Sequence, residues 1–360
     1  MPNLEYKPTS VSPPGETLSD ILEERGITQT QLSVRLGRSG KNLSQIVNGK
    51  APITPDLAVD LERVLGTPAR FWLARESRYQ EWLSRSSIPE PTDADLEWAR
   101  SFTYPKMAEY GWVPSTSTAR EKFFNLLNFF GVVHRQAFQA WAGNLSPQYR
   151  RSETAIDKDH LIAAWLRQGE LEAEGVDAGD YNEKGFAAAV DHARTLTCSH
   201  PEDFVPEIKK AFAANGVVLL FVPELPSMGV SGATRWLTPS KALIQITLRY
   251  KTNDHLWFTI FHESCHILKH QKRVVYLETN GAKSPEEIEA DEFSANHMIP
   301  PGPLNRFEEA GVFDKGSVEA FAESIGISPG IVVGRLQKEG LIPWDSLNSL
   351  KVKFQWSKDS

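Results

Sequence analysis

Trp257-Phe258-Thr259-Ile260-Phe261-His262-Glu263-Ser264-Cys265-His266-Ile267-Leu268-Lys269-His270 is the stretch on which the reading of this chain turns. Trp257, Ile260, Phe261, Ser264, Ile267 and Leu268 recur at helical spacing, which predicts a mostly buried helix. Residues four apart share a helix face, so His262 and His266 can present two imidazoles to one zinc ion. Glu263 then stands where a carboxylate can take a proton from the attacking water. The order His-Glu-x-x-His also arises by chance, and paired histidines are commonly structural. Here the apolar frame makes two partnerless buried imidazoles costly, which favours a metal.

A carboxylate-rich helix is expected downstream, over residues 285–300. Two histidines, one carboxylate and an open fourth position form a known catalytic zinc arrangement. Spacing alone leaves Glu286, Glu289 and Glu292 open as the third ligand.

The strand-rich lead-in, the His262-Glu263-Ser264-Cys265-His266 run and Glu289-Ala290-Asp291-Glu292-Phe293-Ser294-Ala295, followed by Met298-Ile299-Pro300, resemble the ImmA/IrrE family of zinc metallopeptidases. The similarity runs from about residue 217 to about residue 342. The resemblance implies a zincin-like α+β domain that hydrolyses a protein substrate. It assigns His262, His266 and Glu289, the residue before Ala290, as zinc ligands and Glu263 as general base. The sequence departs from the family with Cys265 where glycine is usual and His297 where an aliphatic residue is usual. Either could crowd or tune the site.

Ahead of the motif, residues 217–222 read as a buried strand and 241–249 as a second, with an extended segment at 229–237 between them. A small sheet preceding a zinc-binding helix commonly offers an edge strand to which a peptide adds, a role that falls to residues 230–235. An ordinary hairpin is the plainer reading. Residues 318–340, with a start at Ser328-Pro329, predict a further helical pair within the same domain.

The amino-terminal third reads as five short helices over residues 17–83, after a flexible 1–16. Thr17 is placed to cap the first, whose stripe is Leu18, Ile21 and Leu22. Thr28-Gln29-Thr30-Gln31 is a capping-box pattern for the second, which Gly37 ends. Ser39 can cap a third with Leu43, Ile46 and Val47 inward, and Thr54-Pro55 and Thr67-Pro68 start two more. Short helices joined by a glycine-containing turn are the helix-turn-helix signature. From residue 26 to 50 the charged residues are Arg35, Arg38, Lys41 and Lys50, without a carboxylate, which suits phosphate contact. The third helix offers Lys41, Asn42, Ser44, Gln45 and Asn48 outward, side chains able to read base edges. Gln29 and Ser39 complete the candidate DNA-facing set. A generic trihelical bundle with a solvated polar face is the plainer alternative.

The wording of this region, from Pro14-Gly15-Glu16-Thr17-Leu18 through Asn48-Gly49-Lys50-Ala51-Pro52-Ile53-Thr54-Pro55 to Phe71-Trp72-Leu73, resembles the Xre-type helix-turn-helix of HigA antitoxins. Gly40 departs from the larger residue usual there. The resemblance implies a homodimer on palindromic operator DNA and a possible toxin partner.

Residues 84–95 read as a linker and 96–212 as a largely helical middle region, with Phe123, Leu126, Leu127 and Phe130 as one apolar stripe. Its tryptophans are expected in a core. The remainder, 213–360, is the metallopeptidase-like domain. The fold class expected is therefore mainly α with a small β-sheet. A net charge of −7 does not suggest a nucleic-acid binder overall, and only one domain departs from that balance. Two cysteines make no disulfide framework and fit a reducing cytoplasm. The first sixteen residues lack the apolar core of a signal peptide, and no run is long enough to span a bilayer. The function expected is a DNA-binding regulator carrying a zinc endopeptidase, with a non-enzymatic regulator bearing a structural or sensory zinc site as the alternative.

Overall fold

The computed structural model describes residues 10–145, 159–272, 275–279 and 284–356. The chain forms two compact units, one through Glu90 and one from Pro91.

The first unit contains α1 (Pro14–Glu24), α2 (Gln29–Leu36), α3 (Gly40–Val47), α4 (Pro55–Leu65) and α5 (Ala69–Ser86). Their inward stripes, among them Leu18, Leu32, Leu43, Ile46, Leu57, Leu61 and Trp72, close one apolar core. The capping box forms in both directions: Thr28 accepts the Gln31 amide (3.2 Å) and Gln31 accepts the Thr28 amide (2.9 Å). Gly37 adopts φ +60°, the left-handed turn that stops α2 before Ser39 caps α3. Gly15 lets α1 cross α3 closely, since a β-carbon there would meet the Ile46 carbonyl oxygen at 2.1 Å.

Two helix starts differ from the sequence expectation. Helix α1 begins at Pro14, because Pro13 and Pro14 preset the backbone, and Thr17 instead accepts a hydrogen bond from Arg75 (3.0 Å). Helix α5 begins at Ala69, whose amide is taken by the Glu62 carboxylate (2.5 Å), so Thr67 is no cap.

The second unit opens with α6 (Asp93–Ser101), α7 (Tyr104–Glu109), α8 (Ala119–Phe130), α9 (Arg135–Leu145), α10 (Asp159–Glu174), α11 (Glu183–Thr195) and α12 (Pro201–Ala213). Then follow β1 (Val217–Phe221), β2 (Val230–Thr238), β3 (Lys241–Ile246), α13 (Asn253–Lys269) and β4 (Tyr276–Thr279). Helices α14 (Pro285–Met298), α15 (Pro301–Ala310), α16 (Lys315–Ile325) and α17 (Pro329–Lys338) close it. The sheet order is β1-β3-β2-β4, with β1 and β3 parallel and the other pairs antiparallel.

The sheet is a middle layer. Val218, Leu220 and Leu243 face a core shared with α6 to α10, while Val217, Leu219, Ala242 and Ile244 face α11 to α13 and α15 to α17. Burial on both faces is why β1 is apolar at every position. It also corrects the expected middle region of residues 96–212. Those helices belong to the same unit as the sheet, because each strand needs its second face covered.

The edge role expected for residues 230–235 is not realised. Strand β2 lies between β3 and β4, with Ala233 opposite both Gln245 and Leu277.

The start of α13 is fixed by buried polar bonds. Asn253 and Val352 exchange hydrogen bonds (2.9 and 3.1 Å), and Asn253 donates to Ser328 (2.8 Å). Lys351 pairs with Asp254 at 2.6 Å, both side chains 8% exposed, and donates to Gln337 at 2.8 Å. Gly330 and Gly334 of α17 leave room for Asn253 and Asp254. No helix among the described residues is long and apolar enough to cross a membrane.

Candidate metal centre and helix-turn-helix surface

Helix α13 is buried almost throughout, so its polar residues must find partners inside the fold. His262 and His266 point the same way, their Nε2 atoms 3.2 Å apart. The third group comes from α14. Ser284 caps that helix by accepting the Glu287 amide (3.3 Å), which sets Glu287 in the first turn. The Glu287 carboxylate lies 3.1 Å from His262 Nε2 and 3.4 Å from His266 Nε2. Ser294 of α14 donates to the Phe258 carbonyl (2.8 Å), tying the two helices together further along.

Two ring nitrogens bound to one tetrahedral zinc at about 2.0–2.1 Å would stand roughly 3.4 Å apart. The observed pair, with a carboxylate oxygen beside each nitrogen, matches that spacing and converges lone pairs that need a shared cation or a proton. The residues fit a divalent metal. Burial, with the nearby His262 and His270, drives His266 down to about 2, so it is neutral and able to donate. Burial also lowers His262, but Glu287, Glu278 and Glu263 outweigh it and leave this group raised.

Glu263 is fully buried and neither carboxylate oxygen completes a hydrogen bond. Burial raises its carboxyl well above the ordinary range. Thr234 of β2 donates to the Glu263 main-chain carbonyl (3.1 Å). The side chain fits because Gly232 lies opposite; a β-carbon there would approach Oε1 to 2.6 Å and Thr259 Cγ2 to 2.7 Å.

Glu289, the third ligand implied by resemblance, is not with the histidine pair. Its side chain is 49% exposed and bonds Lys269 (2.9 Å), which, with His270, holds its carboxyl below the ordinary range. The reason is helical geometry. Glu287 and Asp291 are four apart and both face α13, whereas two residues rotate about 200° and turn Glu289 outward. Glu292 lies with Glu289 along an outer groove.

The sequence reading did not single out Glu287, Gly232, Asp291, His270 or Tyr276. Asp291 Oδ1 lies 3.1 Å from His262 Nδ1, and His270 Nδ1 lies 2.8 Å from His266 Nδ1. The Tyr276 ring stacks on His266 at 4.1 Å and 14°. His270 was visible as a third histidine at four-residue spacing; Gly232 and Tyr276 left no local signal. Neither departure from the family crowds the histidine pair. Cys265 is buried, its thiol pushed up to about 12 by desolvation, and His297 stacks between Phe261 and Phe293.

In the first unit, Leu43 and Ile46 bury one side of α3, leaving Lys41, Gln45 and Asn48 exposed along another, with Asn42 and Ser44 half-buried beside them. Asn48 is tied to Ser44, donating to its carbonyl at 2.7 Å. Ser39 is engaged as the cap of α3. Gln29 and Arg35 are exposed on α2. Arg38 is turned to Asp60 of α4 (3.1 Å), so its guanidinium already has a carboxylate partner.

Among curated proteins none matches this chain. Three solved structures share its amino-terminal part. One, described as an antidote of a plasmid maintenance system from Nostoc punctiforme PCC 73102, is 30% identical over 22% of this chain and 87% of its own, with a TM-score of 0.21. A Pseudomonas aeruginosa protein solved with its 18-base-pair operator DNA is 28% identical over 23% and 89%, with a TM-score of 0.22. An addiction-module antidote protein of a HigA family from Coxiella burnetii is 23% identical over 30% and 97%, with a TM-score of 0.19. The helix-turn-helix family profile matches residues 18–72. Those residues, from α1 into α5, are a helix-turn-helix domain.

Proposed function

We propose that the chain is a DNA-binding regulator of the antitoxin type whose second unit carries a zinc site for peptide hydrolysis. The profile match over residues 18–72, the carboxylate-free basic stretch and the outward stripe of α3 support the DNA part. In this reading α3 enters the major groove of operator DNA, with Lys41, Asn42, Ser44 and Gln45 toward base edges and Arg35 toward phosphate. A homodimer on a palindromic operator and a toxin partner belong to the same reading.

The observation that carries the hydrolase part is Glu263, a buried carboxylate without a completed hydrogen bond, beside two histidines that converge on Glu287. His262, His266 and Glu287 would hold the zinc. When bound, zinc supplies Lewis-acid polarisation of a carbonyl and lowers the pKa of water. Glu263 would accept the proton, Gly232 gives its carboxylate room, and Asp291 orients His262. The test is Glu263→Gln, which keeps the side-chain size and is expected to retain zinc while losing proteolysis. Both forms are incubated under reducing conditions with intact chain, a neighbouring-gene toxin and a repressor, and fragments are sought by intact mass. A reduced, zinc-loaded wild type that cuts none of them counts against the enzyme.

One observation favours a structural or sensory metal instead. His262, Glu263 and His266 are each at most 1% exposed, a degree of enclosure that suits a metal held rather than used. That reading predicts no cleavage by either form.

A further inference from the structure

We propose that His270 and Glu289 are positioning residues that select, through one hydrogen-bond chain, the tautomer of His266 able to bind metal. The inference rests on the metal reading above. It gives a role to the glutamate that the structure turns away from the ligand set.

The chain is continuous. Lys269 Nζ lies 2.9 Å from Glu289 Oε1, Glu289 Oε2 lies 3.4 Å from His270 Nε2, and His270 Nδ1 lies 2.8 Å from His266 Nδ1. The His270 side chain is 6% exposed, so water is a poor substitute for its partners. The Tyr276 ring stacks on His266 and lies 5.5 Å from the His270 ring, which restrains both imidazoles in rotation.

Proton placement then has two orders. If His266 carries its proton on Nδ1, it donates to His270 Nδ1. His270 must then carry its own proton on Nε2, facing the Glu289 carboxylate. His266 Nε2 is left as a bare lone pair beside His262 Nε2 and Glu287, which is the ligand form. In the opposite order His270 donates to His266, the His266 proton moves to Nε2, and that proton blocks the ligand position. An acceptor-only carboxylate at the far end favours the first order. Lys269 keeps that carboxylate in place. On His262 the corresponding partner is Asp291, one carboxylate in direct reach.

The test compares the full-length wild type with His270→Leu, His270→Asn and Glu289→Gln. Asparagine offers an acceptor oxygen near the position of His270 Nδ1, and leucine offers none. Zinc affinity is measured by competition with a chelating indicator, the visible spectrum of cobalt-loaded protein is recorded, and melting of the metal-free forms controls for folding. His270→Leu is expected to bind zinc about 10- to 100-fold more weakly, with an altered cobalt spectrum. His270→Asn is expected to restore affinity to within about threefold of wild type, and Glu289→Gln, at a half-exposed position, to lose about threefold or less. Wild-type affinity and spectrum in His270→Leu would overturn the relay while leaving the metal site standing. Equal loss in leucine and asparagine variants would also overturn it, as plain packing. A wild type that takes up no zinc removes the metal reading, and the relay with it.

Discussion

Gly232 and Glu263 fit together because the glycine has no side chain: a β-carbon there would stand 2.6 Å from Oε1 and 2.9 Å from Cγ of the glutamate. A strand and a helix far apart in sequence thereby share one small space, and the carboxylate is positioned by what the strand lacks. Gly232→Ala should therefore displace Glu263 while sparing the metal ligands. Cleavage of any identified substrate is expected to fall on the order of 100-fold, with zinc still near one per chain. A cleavage rate equal to wild type would show that the close approach has no catalytic consequence.

The two glutamates of α14 give opposite expectations. Glu287→Ala removes a carboxylate 3.1 Å from His262 Nε2 and should abolish stoichiometric zinc, as should His262→Ala with His266→Ala. Glu289→Ala removes only an outward partner of Lys269 and His270 and should leave zinc near one per chain. Metal analysis after dialysis decides. Loss with Glu289→Ala and retention with Glu287→Ala would reverse the assignment.

Contacts to DNA should divide by residue. Gln45→Ala is expected to cost roughly 1–3 kcal/mol of discrimination between operator and scrambled DNA, if its contact is a good bidentate one. Arg35→Ala should weaken both sequences alike and reduce the salt slope by about one. Arg38→Ala should do less, because Asp60 already holds that guanidinium. Fluorescence titrations at several salt concentrations measure all three. Equal affinity of the wild type for both sequences would refute specific recognition.

The two thiols should differ in reactivity. Cys265 is buried with its thiol pushed up to about 12, whereas Cys198 is exposed. A thiol reagent should modify one cysteine in the native protein and both after unfolding. Peptide mapping that finds Cys265 modified first would contradict its burial.

Stability should depend on the Lys351–Asp254 pair, 2.6 Å apart and enclosed beneath α13. Lys351→Met leaves the Asp254 carboxylate buried without its cation and is expected to destabilise by about 3–5 kcal/mol. Adding Asp254→Asn should recover part of that loss, as denaturant unfolding would show. A variant as stable as wild type would mean the pair contributes little.

What the sequence determined by itself was periodic and local. The four-residue spacing of His262 and His266 placed both imidazoles on one face, and Thr28, Gly37 and Ser39 marked the helix-turn-helix boundaries, because caps and turns act over three or four residues. The apolar run at 217–222 announced a strand buried on both faces but not what covers each face. Only the tertiary structure decided that Glu287 rather than Glu289 meets the histidines, since that depends on how α14 is rotated against α13. It also decided that β2 is interior and that Gly232 makes room for Glu263. Those relations hold between residues tens of positions apart, and their energies arise only when the packed elements exclude water and bring the groups within a few ångströms.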